Sequence, residues 1–197
     1  GADVLLGGLR HDENAERTLT ACREQGVTAE LLVADLAKPP ATYLPELLTH
    51  ADDLLPDIDL LINNAGTYID KPFFEMDFER YLTTLHLNVT SGYFLTQAIA
   101  RRWVENGVRG RILFTGSING FLSEPDHTAY DTSKGAVAAM VRSLCVTLAP
   151  LGIRVNAIAP GIVRTPLTQV LDEDQRLDTW MQLHTPNGQV PTADVCG

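Results

Sequence analysis

The sequence predicts an α/β domain built on a doubly wound parallel sheet. Three observations carry this. Short apolar runs alternate with longer helical patterns along all 197 residues. The runs are continuously apolar, as expected of strands covered by helices on both faces. Regular β-α-β-α order calls for right-handed crossovers, which a parallel sheet satisfies.

The elements follow in order. Val4-Leu5-Leu6 reads as a buried strand, then Glu13 to Gln25 as a helix ended by Gly26. Leu31-Leu32-Val33 is the next strand, followed by a helical stretch from about Ala41 to Leu55. Ile58 to Ile62 is a third strand, and Phe78 to Asn106 a long helical region. Arg111 to Phe114 is the fourth strand, Thr128 to Leu148 a helix, and Ile153 to Ile158 the fifth strand. No repeat, low-complexity tract or composition break marks a linker, so residues 1–197 read as one domain.

Composition narrows the function classes. The chain is 45% hydrophobic and 20% charged, which suits a sizeable core. No run reaches the ~18–20 uninterrupted apolar residues of a membrane helix, and the start lacks a signal-peptide layout. Net charge is −10, with 15 basic residues scattered against 25 acidic ones, which argues against nucleic-acid and anionic-membrane partners. Cys22, Cys145 and Cys196 show no C-x-x-C spacing, and the five histidines include no H-x-x-x-H pair. No metal site is expected, and a reducing, cytoplasmic setting fits.

In a doubly wound sheet, chemistry lies beyond the carboxyl ends of the strands. Those ends carry Ala34-Asp35-Leu36, Asn63-Asn64-Ala65-Gly66, Thr115-Gly116-Ser117 and Ala159-Pro160-Gly161. Tyr130 and Lys134, four apart near a predicted helix start, share one helix face. A free tyrosine ionises near pH 10, too high for a good base at neutrality, and a nearby ammonium lowers that value. Tyr130 becomes a usable proton acceptor or donor. Ser117 could hydrogen-bond the same substrate oxygen as charge develops.

Asn63-Asn64-Ala65-Gly66, Asn88, Ser117, Tyr130-x-x-x-Lys134 and Pro160-Gly161 come in the order and approximate spacing of the classical short-chain dehydrogenase/reductase (SDR) family. The resemblance covers nearly the whole chain. It implies a Rossmann-like fold and an NAD(P)-dependent oxidoreductase moving a hydride between nicotinamide and a secondary alcohol or ketone. It also implies a small-molecule substrate and a homodimer or homotetramer. By resemblance, Tyr130 is the acid/base, and Lys134 tunes it and binds the nicotinamide ribose. Ser117 polarises the substrate oxygen, and Asn88 holds a water of the proton relay. Asn64, Ala65 and Gly66 form the turn that lets the cofactor approach the backbone. Asp35 and Leu36 meet the adenine. Pro160, Gly161, Val163 and Thr165 contact the carboxamide. Asn119, Phe121, Ser123 and His127 occupy the stretch that shapes the substrate pocket. The segment after Thr165, through Asp172, Trp180 and His184, resembles the substrate lid, and its polar character suggests a sugar-like or otherwise hydroxylated substrate.

Two departures qualify the resemblance. No G-x-x-x-G-x-G phosphate loop occurs, and Gly1 to Leu6 corresponds to the family's second strand. The first strand, flanked in the family by the second and fourth, and the last helix and strand are expected to lie outside these residues. Pro191 to Gly197 reads as the start of a further helix. The alternative is a truncated, non-catalytic relative acting as a binding or subunit-forming protein. Gly7-Gly8-Leu9-Arg10 offers no acid for a ribose 2′-hydroxyl. Arg10, either a 2′-phosphate ligand or a solvated charge, tips the choice between NAD and NADP slightly toward NADP.

Overall fold

Among the described residues five parallel strands form in the expected order, but they make two sheets. The structure is a computed structural model describing residues 1–165 and 168–196. Strand β1 (Val4–Gly8) pairs with β2 (Ala29–Val33), Val4 opposite Ala29. Strands β3 (Leu60–Asn63), β4 (Arg111–Thr115) and β5 (Arg154–Ile158) form the second sheet in that order. β1 and β3, which the resemblance sets on either side of a further strand, are not bonded to each other.

The expected burial on both faces is realised unevenly along the strands. β4 lies between two partners, and its Ile112 and Phe114 are buried. Among the described residues β3 pairs with β4 alone, and Leu60 and Ile62 are 43% and 53% exposed. Its unpaired N–H and C=O groups form an open edge.

Helix starts follow local chemistry. Asp12 caps α1 (Glu13–Arg23), its carboxylate accepting from the Asn14 and Ala15 N–H groups at 3.0 Å. Pro45, whose missing N–H costs nothing in a first turn, opens α2 (Leu44–Leu54) after a 3-10 turn at Pro40–Thr42. The long helical region resolves into α3 (Phe78–Leu85) and α4 (Ser91–Glu105), joined by a π turn at His86–Thr90. There the Ser91 N–H bonds the His86 carbonyl five residues back, one more than α geometry allows. Asn88, at the middle of that turn, is buried.

Helix α5 (Thr128–Leu148) runs on through a 3-10 turn at Ala149–Leu151 to Gly152, whose φ of 78° lets the chain reverse into β5. By length and composition this stretch could cross a membrane. Ala129, Ser133, Lys134, Val137 and Met140 are nonetheless buried in the fold. Val137 and Met140 join Ile99 and Trp103 of α4, Ile112 and Phe114 of β4 and Val155 of β5 in one core. Burying side chains of this size stabilises by about 1.5–3 kcal/mol each. After β5 come α6 (Val170–Glu173) and α7 (Gln175–His184). The helix expected from Pro191 is a 3-10 turn at Ala193–Cys196, and Gly197 lies outside the described residues. A bridge between Arg164 and Thr192 ties this end to the segment after β5.

Candidate active site

The carboxyl ends of β3, β4 and β5 converge, and their connecting loops are stitched together. The Gly116 N–H donates to the Ile158 carbonyl at 2.8 Å, carrying the β4–β5 pairing up to Ser117. A Cβ on Gly116 would sit 2.9 Å from that carbonyl, so a side chain there would push the strands apart. The Ile118 N–H reaches the Pro160 carbonyl at 3.0 Å. Ser117 caps the 3-10 turn Ile118–Gly120, its Oγ accepting from the Asn119 N–H at 3.1 Å.

Tyr130 and Lys134 project from the first turns of α5. The Lys134 Nζ donates to the Thr115 carbonyl at 2.9 Å and lies 5.6 Å from the Tyr130 ring centroid. Ser133, between them, donates to the Tyr130 carbonyl at 2.7 Å and accepts from the Asn88 amide at 2.9 Å. Asn88 also clamps Thr67, accepting from its N–H at 2.7 Å and donating to its C=O at 2.9 Å. Both amide hydrogens of Asn88 are thus committed to protein. In this structure the side chain braces the segment after Gly66 and offers no N–H to a relay water.

The electrostatics depart from the expectation that Lys134 lowers the tyrosine. Burial raises the Tyr130 phenol above its ordinary value, the Ser117 hydroxyl pulls it back, and Asp131, Asp70 and Glu124 raise it further. Burial also lowers the Lys134 ammonium. Lys134 is turned to the Thr115 carbonyl and the face of the ring. Desolvation and three carboxylates therefore outweigh it.

A second cluster adjoins Tyr130. The Tyr68 ring packs edge-on against Tyr130 and against His127, with centroids 5.0 Å apart in each case. The Tyr68 hydroxyl lies 2.6 Å from the His127 Nε2. Asp70 approaches that nitrogen at 3.3 Å, and Glu124 approaches Nδ1 at 3.1 Å. Burial, then Asp70 and Glu124, push the Tyr68 phenol well up. Asn119 donates to Asp131 at 2.9 Å and to Glu124 at 3.3 Å, so the pocket loop and α5 share one polar network. Of Asn119, Phe121, Ser123 and His127, the stretch expected to shape the pocket, Asn119 and His127 join these polar contacts and Phe121 is largely exposed. Tyr68, Asp70, Glu124 and Ser133 escaped the sequence reading. For Tyr68 a signal existed, since it falls two residues after the Asn64-Ala65-Gly66 turn.

The Thr115 hydroxyl donates to the Asn64 Oδ1 at 2.9 Å, fixing the turn at the end of β3. Gly66 abuts Asn88, whose Oδ1 would be 3.3 Å from an added Cβ. Asp35 and Leu36 follow β2, but the Asp35 carboxylate accepts from the Ala37 N–H at 3.1 Å and lies 3.7 Å from Lys38. Pro160, Gly161, Val163 and Thr165 follow β5. Thr168 donates to the Val163 carbonyl at 2.6 Å and accepts from the Thr165 N–H at 2.9 Å. Arg164 binds Asp172 at 2.7 Å and also Asp178, holding α6 and α7 together. Beside β1, a groove is lined by Leu6, Gly7, Gly8, Arg10, Asp12 and Asn14, with Arg10 3.3 Å from Asp12.

The short chain dehydrogenase family profile matches residues 1–176. The L-rhamnose 1-dehydrogenase (NADP(+)) of Thermoplasma acidophilum is 28% identical over 96% of this chain and 74% of its own length. The 5-keto-D-gluconate 5-reductase of Escherichia coli is 30% identical over 94% of this chain and 72% of its own length. A crystal structure of a gluconate 5-dehydrogenase from Burkholderia cenocepacia, in complex with NADP and tartrate, matches with a TM-score of 0.88. It is 27% identical over 98% of this chain and 74% of the other. A profile matched over most of the chain, together with relatives and a solved structure that align along nearly all of it, identifies it: this chain is a member of the short chain dehydrogenase family, the NAD(P)-dependent oxidoreductases of CH–OH groups.

Proposed function

We propose that this chain interconverts a secondary alcohol and a ketone with Tyr130 as the proton-transferring group, Ser117 as partner to the substrate oxygen and Lys134 as ligand to the nicotinamide ribose. The supporting observation is their convergence: a half-buried phenol acted on by the Ser117 hydroxyl, with a buried ammonium over its ring.

The donor set at Lys134 fits a dinucleotide. An ammonium carries three N–H groups, and the Thr115 carbonyl takes one. The others suit a pair of ribose hydroxyls, whose hydrogen bonds offset the desolvation that lowers this lysine. Asn64, Ala65 and Gly66 would meet the cofactor by backbone. Pro160, Gly161, Val163 and Thr165 would hold the carboxamide end, and Asp35 with Leu36 the adenine end. Arg10, beside the groove at β1, supports NADP over NAD, provided it leaves Asp12 for a 2′-phosphate. When bound, the nicotinamide supplies or accepts the hydride.

The protein handles the proton. In reduction the Tyr130 hydroxyl donates to the developing alkoxide, and its raised affinity for that proton keeps it loaded at neutral pH. The Ser117 hydroxyl donates a second hydrogen bond to the same oxygen. Asn88 and Ser133 position Tyr130 from behind through the Tyr130 carbonyl. The polar pocket loop and lid favour a hydroxylated substrate. The relatives' names divide between a neutral sugar and sugar acids. A binding-only relative would have no use for this convergence. The test follows reduced nicotinamide absorbance with NADH or NADPH across a carbonyl panel. Substrate-dependent oxidation is expected, with NADPH the better donor. Dinucleotide binding without turnover of any carbonyl would refute the reading.

A further inference from the structure

We infer that Asp70 and Glu124, held against His127 beside Tyr130, form an electronegative wall that selects neutral hydroxylated substrates and rejects sugar acids and other carboxylates. This rests on the oxidoreductase reading above and names the charge class of its substrate.

The argument begins with placement. Tyr68 touches both Tyr130 and His127, so the His127 cluster is one ring away from the reacting phenol. Asp70 and Glu124 reach His127 from opposite sides, and their side chains are 37% and 38% exposed. They are accessible to a ligand and are not sealed in the core. Asp131 adds a third carboxylate, joined to Glu124 through Asn119 and through the Glu124 N–H. All three act on the Tyr130 phenol, so they lie within electrostatic reach of any group bound there.

Counting charge fixes the sign. Asp70, Glu124 and Asp131 carry three negative charges. Lys134 contributes one positive charge, and His127 at most one more. Lys71 and Asp126, whose backbones bond at 3.2 Å, contribute one of each sign. The surroundings of Tyr130 are therefore negative whichever way the imidazole is protonated. Arg164, the cation on the segment after β5, is occupied by Asp172 and Asp178. A substrate carboxylate would meet like charge here, an arrangement that costs affinity and directs choice away from the wrong ligand. A neutral polyol or hydroxyketone instead finds acceptors in both carboxylates for its hydroxyls. The relatives leave both charge classes open, and these side chains decide between them.

The experiment measures kcat/KM of the full-length protein with NADP for matched pairs of equal carbon skeleton, such as sorbitol against gluconate and threitol against threonate. NADPH-dependent reduction of diacetyl, a small uncharged dicarbonyl, serves as the independent activity control. The neutral member is expected to win by roughly tenfold or more, and raised salt is expected to narrow the ratio. D70N and E124Q, singly and together, are expected to narrow it several-fold by improving the carboxylate member. The salt series needs no variant, so a variant that fails to fold leaves the test intact. Equal or better turnover of carboxylates by the wild type overturns the proposal, as does a ratio indifferent to both salt and a folded D70N/E124Q protein. Diacetyl reduction in either case leaves the oxidoreductase reading standing. A protein that binds NADPH but reduces nothing overturns both.

Discussion

Replacing Asn88 tests whether the π turn braces helix α5, which carries Tyr130 and Lys134. Its amide makes three hydrogen bonds, two to the Thr67 backbone and one to Ser133, at 2.7 to 2.9 Å in a buried position. Each is worth about 0.5–1.5 kcal/mol net, and partners left buried and unsatisfied add to the loss. Asn88→Ala is expected to cost roughly 2–4 kcal/mol, a fall in Tm on the order of 10 °C for a chain of this size. Asn88→Asp keeps the volume and the acceptor for Thr67 N–H but sets a carboxylate oxygen against the Thr67 carbonyl and removes the N–H that Ser133 accepts. It should be at least as damaging, which separates hydrogen bonding from cavity formation. Denaturant and thermal unfolding give the stability, and steady-state kinetics give the consequence. kcat should fall more than KM rises, because Ser133 and the Tyr130 carbonyl lose their support. An Asn88→Asp protein with wild-type stability and kcat would refute the reasoning.

Two further outcomes follow from the same geometry. Gly110→Ala would drive a methyl group into the Trp103 indole, which is buried and anchored by its Nε1 donating to the Ile58 carbonyl at 2.6 Å. Overpacking of this kind costs about 1–3 kcal/mol, visible as a lower denaturation midpoint and altered tryptophan fluorescence. The pH profile follows the raised Tyr130 phenol. With Tyr130 as the proposed proton acceptor, alcohol oxidation would use the phenolate, so its kcat/KM should still be climbing near the ordinary tyrosine value of 10.0, while reduction stays level through neutrality. Asp70→Asn and Glu124→Gln remove like charge and should move the rising limb to lower pH, and a shift upward would contradict the account.

The frame was legible because each strand is a short apolar run and each helix a longer periodic one, separated by turn residues. Even the gap between β1 and β3 followed from the resemblance, since Gly1 to Leu6 matches the family's second strand and no G-x-x-x-G-x-G loop occurs. The π turn could not. Asn88 sits in a helical pattern whose periodicity runs on, and one extra residue per turn is invisible until Asn88 finds Thr67 and Ser133. The placement of Ser117, Tyr130 and Lys134 was readable because two lie on one helix face and the third follows a strand end. The direction of the Tyr130 shift was not, because burial is a tertiary property and Asp70 and Glu124 arrive from loops on either side of β4. Spacing suggested an ammonium acting alone on the phenol, and the fold surrounds that phenol with apolar matter and carboxylates.

The most direct measurement is the rate of Tyr130→Phe with NADPH and a reducible carbonyl, alongside its affinity for NADPH. The account predicts a loss of about a thousandfold in kcat with dinucleotide affinity nearly unchanged, since the phenol moves a proton and its ring merely fills space. Wild-type turnover by the phenylalanine variant would contradict it.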